Sequence, residues 1–125
     1  MTTQTLSTAA VAARFNELAK QEKWFEIQDE LFSDDVKSIE PSGSKNFSNA
    51  HGKADVKKKG EDFIKGIEGV HELKTGEPIV SDHHFAVTRI TDLDLKNQGR
   101  VRLNEIMLYE VRDGKIISEQ FFYKV

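Results

Sequence analysis

Three charged side chains in the second half of the chain, Arg89, Glu105 and Glu119, are candidates for chemistry because strand alternation aims them at one side of a sheet. Val87, Met107, Tyr109, Phe121 and Tyr123 share that predicted face. A charge turned toward a core has to be paired, and a guanidinium can fork onto a carboxylate one strand away. Either the three build a polar cavity floor, binding a ligand oxygen or keeping one carboxyl protonated for acid–base work, or they form a structural ion pair that fixes strand register. Glu40, just before Pro41, ends a short extended run beside a long loop, where a carboxylate reaches a pocket mouth as a general base or stands solvated in a turn. His51 before Gly52 can exchange protons at the same mouth or serve as a helix cap.

Other polar groups point away from chemistry. His83 and His84 are neighbours on one predicted strand and face opposite sides, while His71 belongs to another strand. With no cysteine and no histidines at helical i, i+4 spacing, neither a metal site nor a cofactor is expected. Lys57, Lys58 and Lys59 read as a solvated helix face. Phosphate-binding glycine loops and nucleophile elbows are absent from the sequence.

The elements that must position these residues follow from periodicity. Val11, Phe15 and Leu18, then Trp24, Ile27 and Leu31, recur at helical spacing on either side of the polar break 20–23, which predicts a helical hairpin. Val36 to Glu40 predicts a strand ended by Pro41, followed by a loop whose only large apolar residue is Phe47. A third helix is predicted from Lys53 to Ile67, with Val56, Gly60, Phe63 and Ile67 on one stripe. Gly60 costs that helix about 1 kcal/mol relative to Ala, which close approach to the sheet would offset.

Four strands are predicted next: 70–80, 83–95, 101–111 and 115–123. Asn97-Gln98-Gly99 and Arg112-Asp113-Gly114 each suit a type I turn closed by a bulge glycine. Counting back from those glycines pairs Thr91 with Glu105, Arg89 with Met107, Met107 with Glu119 and Glu105 with Phe121. The opposite face carries Ile116 and exposes Ile90, Ile106, Leu108 and Phe122, an apolar patch that predicts a two-fold homodimer. Phe15, Trp24 and Phe63 are expected in the core and along a pocket wall.

A length of 125 residues suits a single domain, residues 1–125, with 1–6 as a flexible tail. A formal charge of -3 and no extended basic block argue against nucleic acid as a partner. The polar start and the lack of a long apolar run make a cytoplasmic protein without membrane association the expectation.

The segments Ser38-Ile39-Glu40-Pro41-Ser42-Gly43-Ser44, His51-Gly52, Lys59-Gly60-Glu61, Glu77-Pro78-Ile79-Val80, Tyr109-Glu110-Val111, Asp113-Gly114-Lys115-Ile116 and Ser118-Glu119-Gln120-Phe121-Phe122-Tyr123 occur in an order that resembles the SnoaL-like family of the nuclear transport factor 2-like superfamily. The resemblance implies an α+β fold, a cone-shaped, curved antiparallel sheet around three helices. It also implies an internal pocket for a small apolar or aromatic compound bearing an oxygen. Ketosteroid isomerase relatives place a general base where Glu40 stands. Their oxyanion-binding tyrosine and aspartate correspond here to Phe15 and Met107, which donate no hydrogen bond to an oxyanion, so that machinery does not transfer. Two expectations stay open. One is cofactor-independent isomerase, cyclase or dehydratase chemistry with Glu40 as base and Tyr123 or a protonated Glu119 as donor. The pocket is then lined by Phe15, Trp24, His51, Phe63, Val87, Arg89, Glu105, Met107, Tyr109 and Phe121. The other is a non-catalytic binding or assembly module.

Overall fold

The computed structural model describes residues 5–125; the expectation of a flexible tail over residues 1–6 lies, for 1–4, outside them. Helix α1 (Thr8–Ala19) starts where the Ser7 hydroxyl accepts a hydrogen bond from the Ala10 amide at 3.1 Å. It buries Val11, Phe15 and Leu18 and meets α2 (Trp24–Leu31) through a tight turn in which Glu22 takes a positive φ of 57°. A non-glycine residue rarely holds that conformation unless its side chain is fixed, and Glu22 is fixed by an arginine described below.

Strand β1 (Phe32–Ile39) follows α2 directly, and the short β2 (Ala50–His51) pairs with it after the 40–49 loop. Helix α3 (Lys53–Lys65) then leads into β3 (Ile67–Thr75), β4 (Ile79–Val80), β5 (His84–Leu95), β6 (Gly99–Arg112) and β7 (Lys115–Phe122). The single run predicted over 70–80 is broken at Gly76-Glu77-Pro78. Proline supplies no ladder donor, and a Cβ on Gly76 would stand 2.5 Å from Thr88 Oγ1. Among the described residues, no helix is long and apolar enough to cross a membrane.

The strands form one curved, open sheet in the order β2-β1-β7-β6-β5-β3, with β4 pairing β5 beyond β3. The sheet is mixed rather than wholly antiparallel. The last strand lies between β6 and β1 and runs parallel to β1, placing Ser38 opposite Glu119. The β5–β6 pairing differs from the predicted register by two residues: Arg89 faces Glu105 and Val87 faces Met107. Asp113 and Gly114 both take positive φ, so the β6–β7 hairpin closes through two residues in the manner of a type I′ turn. A shift at Glu110/Val111 then sets Met107 against Phe121 and Tyr109 against Glu119. Two-residue slips preserve side-chain direction, so the predicted faces survive. The bulge reverses the strand tip, where Ile116 is fully buried rather than on the outer face.

Phe15, Ile27, Leu31, Val36, Phe85 and Ile116 anchor the core between helices and sheet. The Tyr109 ring stacks on Phe85 at 5.0 Å and meets Phe15 at 4.7 Å. Gly60 makes its close approach to α2 rather than to the sheet, since a Cβ there would lie 3.1 Å from Phe25 Cε1.

Candidate functional site

The core does not fill the whole space under the sheet. Between α2, α3 and the inner faces of β3, β5, β6 and β7 lies a cavity of about 360 Å³, walled by rings such as Trp24, Phe47, Phe63 and Phe121. Ile64, Val70 and Leu73, which also line it, are 51%, 57% and 38% exposed and form an apolar mouth. Polar groups concentrate in two clusters on this wall.

The first cluster is centred on Lys59, whose side chain is only 14% exposed. It lies one helical turn from Val56 and Phe63, and its stem runs inward while Lys58 stays 72% exposed. Its ammonium donates to Glu40 Oε2 at 2.5 Å and to Ser38 Oγ at 2.8 Å, and lies 5.2 Å from the Phe121 ring centre. Tyr123 donates to the other Glu40 oxygen at 2.7 Å and shares a 2.6 Å hydrogen bond with Ser44. Alternation along β1 turns Ser38 and Glu40 to the same side. The Asn49 side chain, accepting from the Glu40 amide at 2.7 Å, ties the loop back onto the strand end. Phe47 completes this corner against Phe63, with ring centres 4.7 Å apart.

The second cluster is a bidentate pair. Arg89 donates to both Glu22 oxygens at 2.8 and 2.9 Å and to Thr75 Oγ1 at 3.0 Å, with its guanidinium 4.7 Å from the Trp24 ring centre. Trp24 Nε1 also donates to Glu22 at 2.8 Å. Burial pulls the Glu22 carboxyl upward, but the hydrogen bonds from Arg89 and Trp24 outweigh it and hold the group below its ordinary value.

Arg89 therefore does not pair with Glu105, although the register sets them opposite each other. The fork turns to the α1–α2 connection instead. Glu105 is pushed up to about 7, first by burial and then by the charge of Glu40, with Arg89 pulling the other way. Glu119, 7% exposed, is also pushed up to about 7 by burial, against the opposing influence of Ser38 and Lys59. Burial likewise raises the hydroxyl of Tyr109, and that of Tyr123 despite the Ser44 hydrogen bond. The cavity thus holds two carboxyls without a counter-ion, poised to exchange protons near neutrality.

Of the residues expected at the site, Glu40, Glu119, Trp24, Phe63, Arg89, Glu105, Met107, Tyr109 and Phe121 line this cavity. Phe15 and Val87 lie outside the wall, because Phe15 is enclosed by the Trp24, Phe85 and Tyr109 rings and Val87 is sealed into the same core. His51 is exposed on β2, paired with Lys37 across the sheet edge. Tyr123 stands behind Glu40 and reaches the cavity only through it. Lys59, read from sequence as solvated, is the principal residue missed. Its place beside the Val56–Gly60–Phe63 stripe was the available signal, whereas nothing local marked Glu22 or Ser38. Among the described residues no three His, Asp or Glu side chains are grouped to hold a metal ion.

Residues 6–123 match the model of the SnoaL-like domain. A candidate SnoaL-like polyketide cyclase from Mesorhizobium loti is 31% identical over 94% of this chain and 100% of its own, with a TM-score of 0.87. Two NTF2-like proteins share the fold. The one from Burkholderia thailandensis is 9% identical with a TM-score of 0.79, covering 95% of this chain and 92% of its own. The one from Burkholderia pseudomallei is 15% identical with a TM-score of 0.73, again covering 95% and 92%. No curated protein matches the sequence. A match spanning nearly every described residue, joined to a near-superimposable relative above 30% identity, shows that the chain belongs to the SnoaL-like family.

Proposed function

We propose that the cavity binds a small apolar or aromatic compound bearing an oxygen, and that its carboxyl floor carries cofactor-independent proton transfer of the isomerase, cyclase or dehydratase type. The observation that carries this reading is the pairing of chemistry with enclosure. A carboxylate held by Lys59 and Tyr123 shares an apolar cavity with two carboxyls that burial keeps protonated up to about 7. Glu40 is the proton acceptor: two hydrogen bonds orient it, and a carboxylate keeps further lone pairs for a substrate proton. Glu119 in its protonated form donates to the ligand oxygen, and Tyr123 orients Glu40. The polyketide cyclase description of the Mesorhizobium loti relative, which also carries the words carbohydrate phosphatase, supports an oxygen-bearing compound as the substrate class.

The test is deuterium incorporation at the carbon next to a carbonyl in cavity-binding ketones, followed by NMR. Glu40→Gln should keep ligand affinity and lose exchange by about 100-fold or more. Unchanged exchange in Glu40→Gln would refute the assignment. Binding without any exchange in the native protein would favour the rival role of a non-catalytic binder, which the Phe15 and Met107 positions favour. We further propose that two copies pair through the outer sheet face, where Ile106 and Phe122 are cross-strand partners and 50% and 47% exposed, with Ile90 and Leu108 alongside. Light scattering should give a dimer that Ile106→Lys converts to monomer; a native monomer at micromolar concentration would end this idea.

A further inference from the structure

Hydrogen-bonding capacity on the cavity wall is lopsided. Both wall cations are committed inside the protein: Arg89 to Glu22 and Thr75, and Lys59 to Glu40 and Ser38. On the acceptor side, no ion pair engages Glu105 or Glu119 among the described residues, and the buried Gln28 Oε1 has no hydrogen-bond partner. Glu119 has the Ser38 hydroxyl for a neighbour, whereas the two cations near Glu105, Arg89 and Lys59, are each turned to another carboxylate. A ligand that contributes nothing but acceptors would leave those atoms unserved and one carboxyl buried without compensation. Trp24, Phe47 and Phe121 already meet Arg89 or Lys59, whereas the Phe25 and Phe63 rings on the same wall meet no cation among the described residues and favour a ligand cation over a second neutral donor.

We propose that the ligand is an apolar amine, whose protonated nitrogen pairs with Glu105 while its ring system fills the aromatic part of the cavity. This rests on the reading of the cavity as a ligand site and adds a head group to it. Glu119, beside Ser38 and Lys59, donates to the ligand's oxygen below a pH of about 7, where burial keeps its proton. The groups facing Glu105 are Glu40 from β1, Lys59 from α3, Arg89 from β5 and Glu119 from β7. Lys59 and Arg89 each have a carboxylate already, so raising the pH ionises Glu105 with no protein cation released to meet it. Amine affinity should therefore climb with pH, and alcohol affinity should not.

The experiment compares 2-phenylethylamine with 2-phenylethanol, similar in shape and differing in charge. Trp24, the only tryptophan, lines the cavity and reports binding by fluorescence, with calorimetry as a second readout. At about pH 8 the amine should bind about tenfold or more tightly than the alcohol, and the ratio should shrink toward unity at about pH 5.5. Glu105→Gln should abolish the preference, and Glu119→Gln should retain most of it. Circular dichroism checks the fold of both variants, and the pH series on the native protein decides the matter without either. Equal binding of the two probes at the higher pH, or a preference that survives Glu105→Gln, would overturn the amine assignment and leave the cavity reading standing. Failure of both probes to perturb Trp24 or to release heat would overturn both.

Discussion

Replacing Lys59 with methionine should unfold far more of this protein than replacing its neighbour Lys58. The two lysines are adjacent on α3 and each pairs with a carboxylate. Lys58 meets Asp62 at 2.9 Å with 72% and 53% of the side chains exposed, while Lys59 meets Glu40 at 2.5 Å with 14% and 4% exposed. An exposed i, i+4 pair contributes about 0.3–0.5 kcal/mol, so Lys58→Met should be nearly silent. Removing one member of a buried pair typically costs about 3–5 kcal/mol, because the partner charge is stranded. Tyr123 still donates to Glu40 in the variant, which places the expectation for Lys59→Met near the lower end, about 3 kcal/mol. For a domain of this size that is a fall in melting temperature of about 10 °C.

The assay is urea unfolding of Lys59→Met, Glu40→Gln and the double variant at about pH 8 and about pH 5. The double variant should recover to within about 1 kcal/mol of the native protein, since no stranded charge remains. A deficit below about 1 kcal/mol at both pH values, or a double variant as unstable as the two single variants summed, would refute the reasoning.

Glu105 and Glu119 make a prediction of opposite sign. Both titrate near 7 in the fold, above the ordinary 4.5, so the folded state holds protons that the unfolded chain has already released. Their contribution to stability is neutral below about 4.5, falls as pH rises, and reaches its full penalty above about 7. Glu119→Gln should therefore be on the order of 1–3 kcal/mol more stable than the native protein at about pH 8 and indistinguishable from it at about pH 4, by urea melts. Gly60→Leu should crowd Phe25, from which even a Cβ would stand only 3.1 Å, and project into the cavity that Gly60 lines, abolishing probe binding by Trp24 fluorescence even where the fold survives.

The sequence made the architecture legible wherever a pattern was local. Helical stripes gave α1, α2 and α3, and the glycines of the two hairpins located β5, β6 and β7. Side-chain direction came through, except at the β6–β7 tip where the bulge buries Ile116, because a slip of two residues leaves side chains on their own face. The pairing partner did not, since the bulge at Glu110/Val111 has no marker in the residues around it. Partnership between distant charges was equally hidden. Arg89 chose Glu22, 67 residues away, over the glutamate directly opposite, and only the fold could show that the α1–α2 turn overhangs the sheet. The run Lys57-Lys58-Lys59 looked uniform as composition, yet a helix rotates each residue about 100° from the last, and that rotation alone separates a solvated lysine from a buried one.

The parallel pairing of β1 with β7 has a consequence for assembly. Ser38 and Glu40 are synthesised well before the strand that sits against them, and the hydroxyl that steadies Glu40 belongs to Tyr123. Until β7 slides into the gap between the first strand and β6, the interior remains open along one side and its acidic residues stay wet. Loop closure across most of the chain must precede the reward of that docking, so consolidation of the chamber should be the slow step of folding.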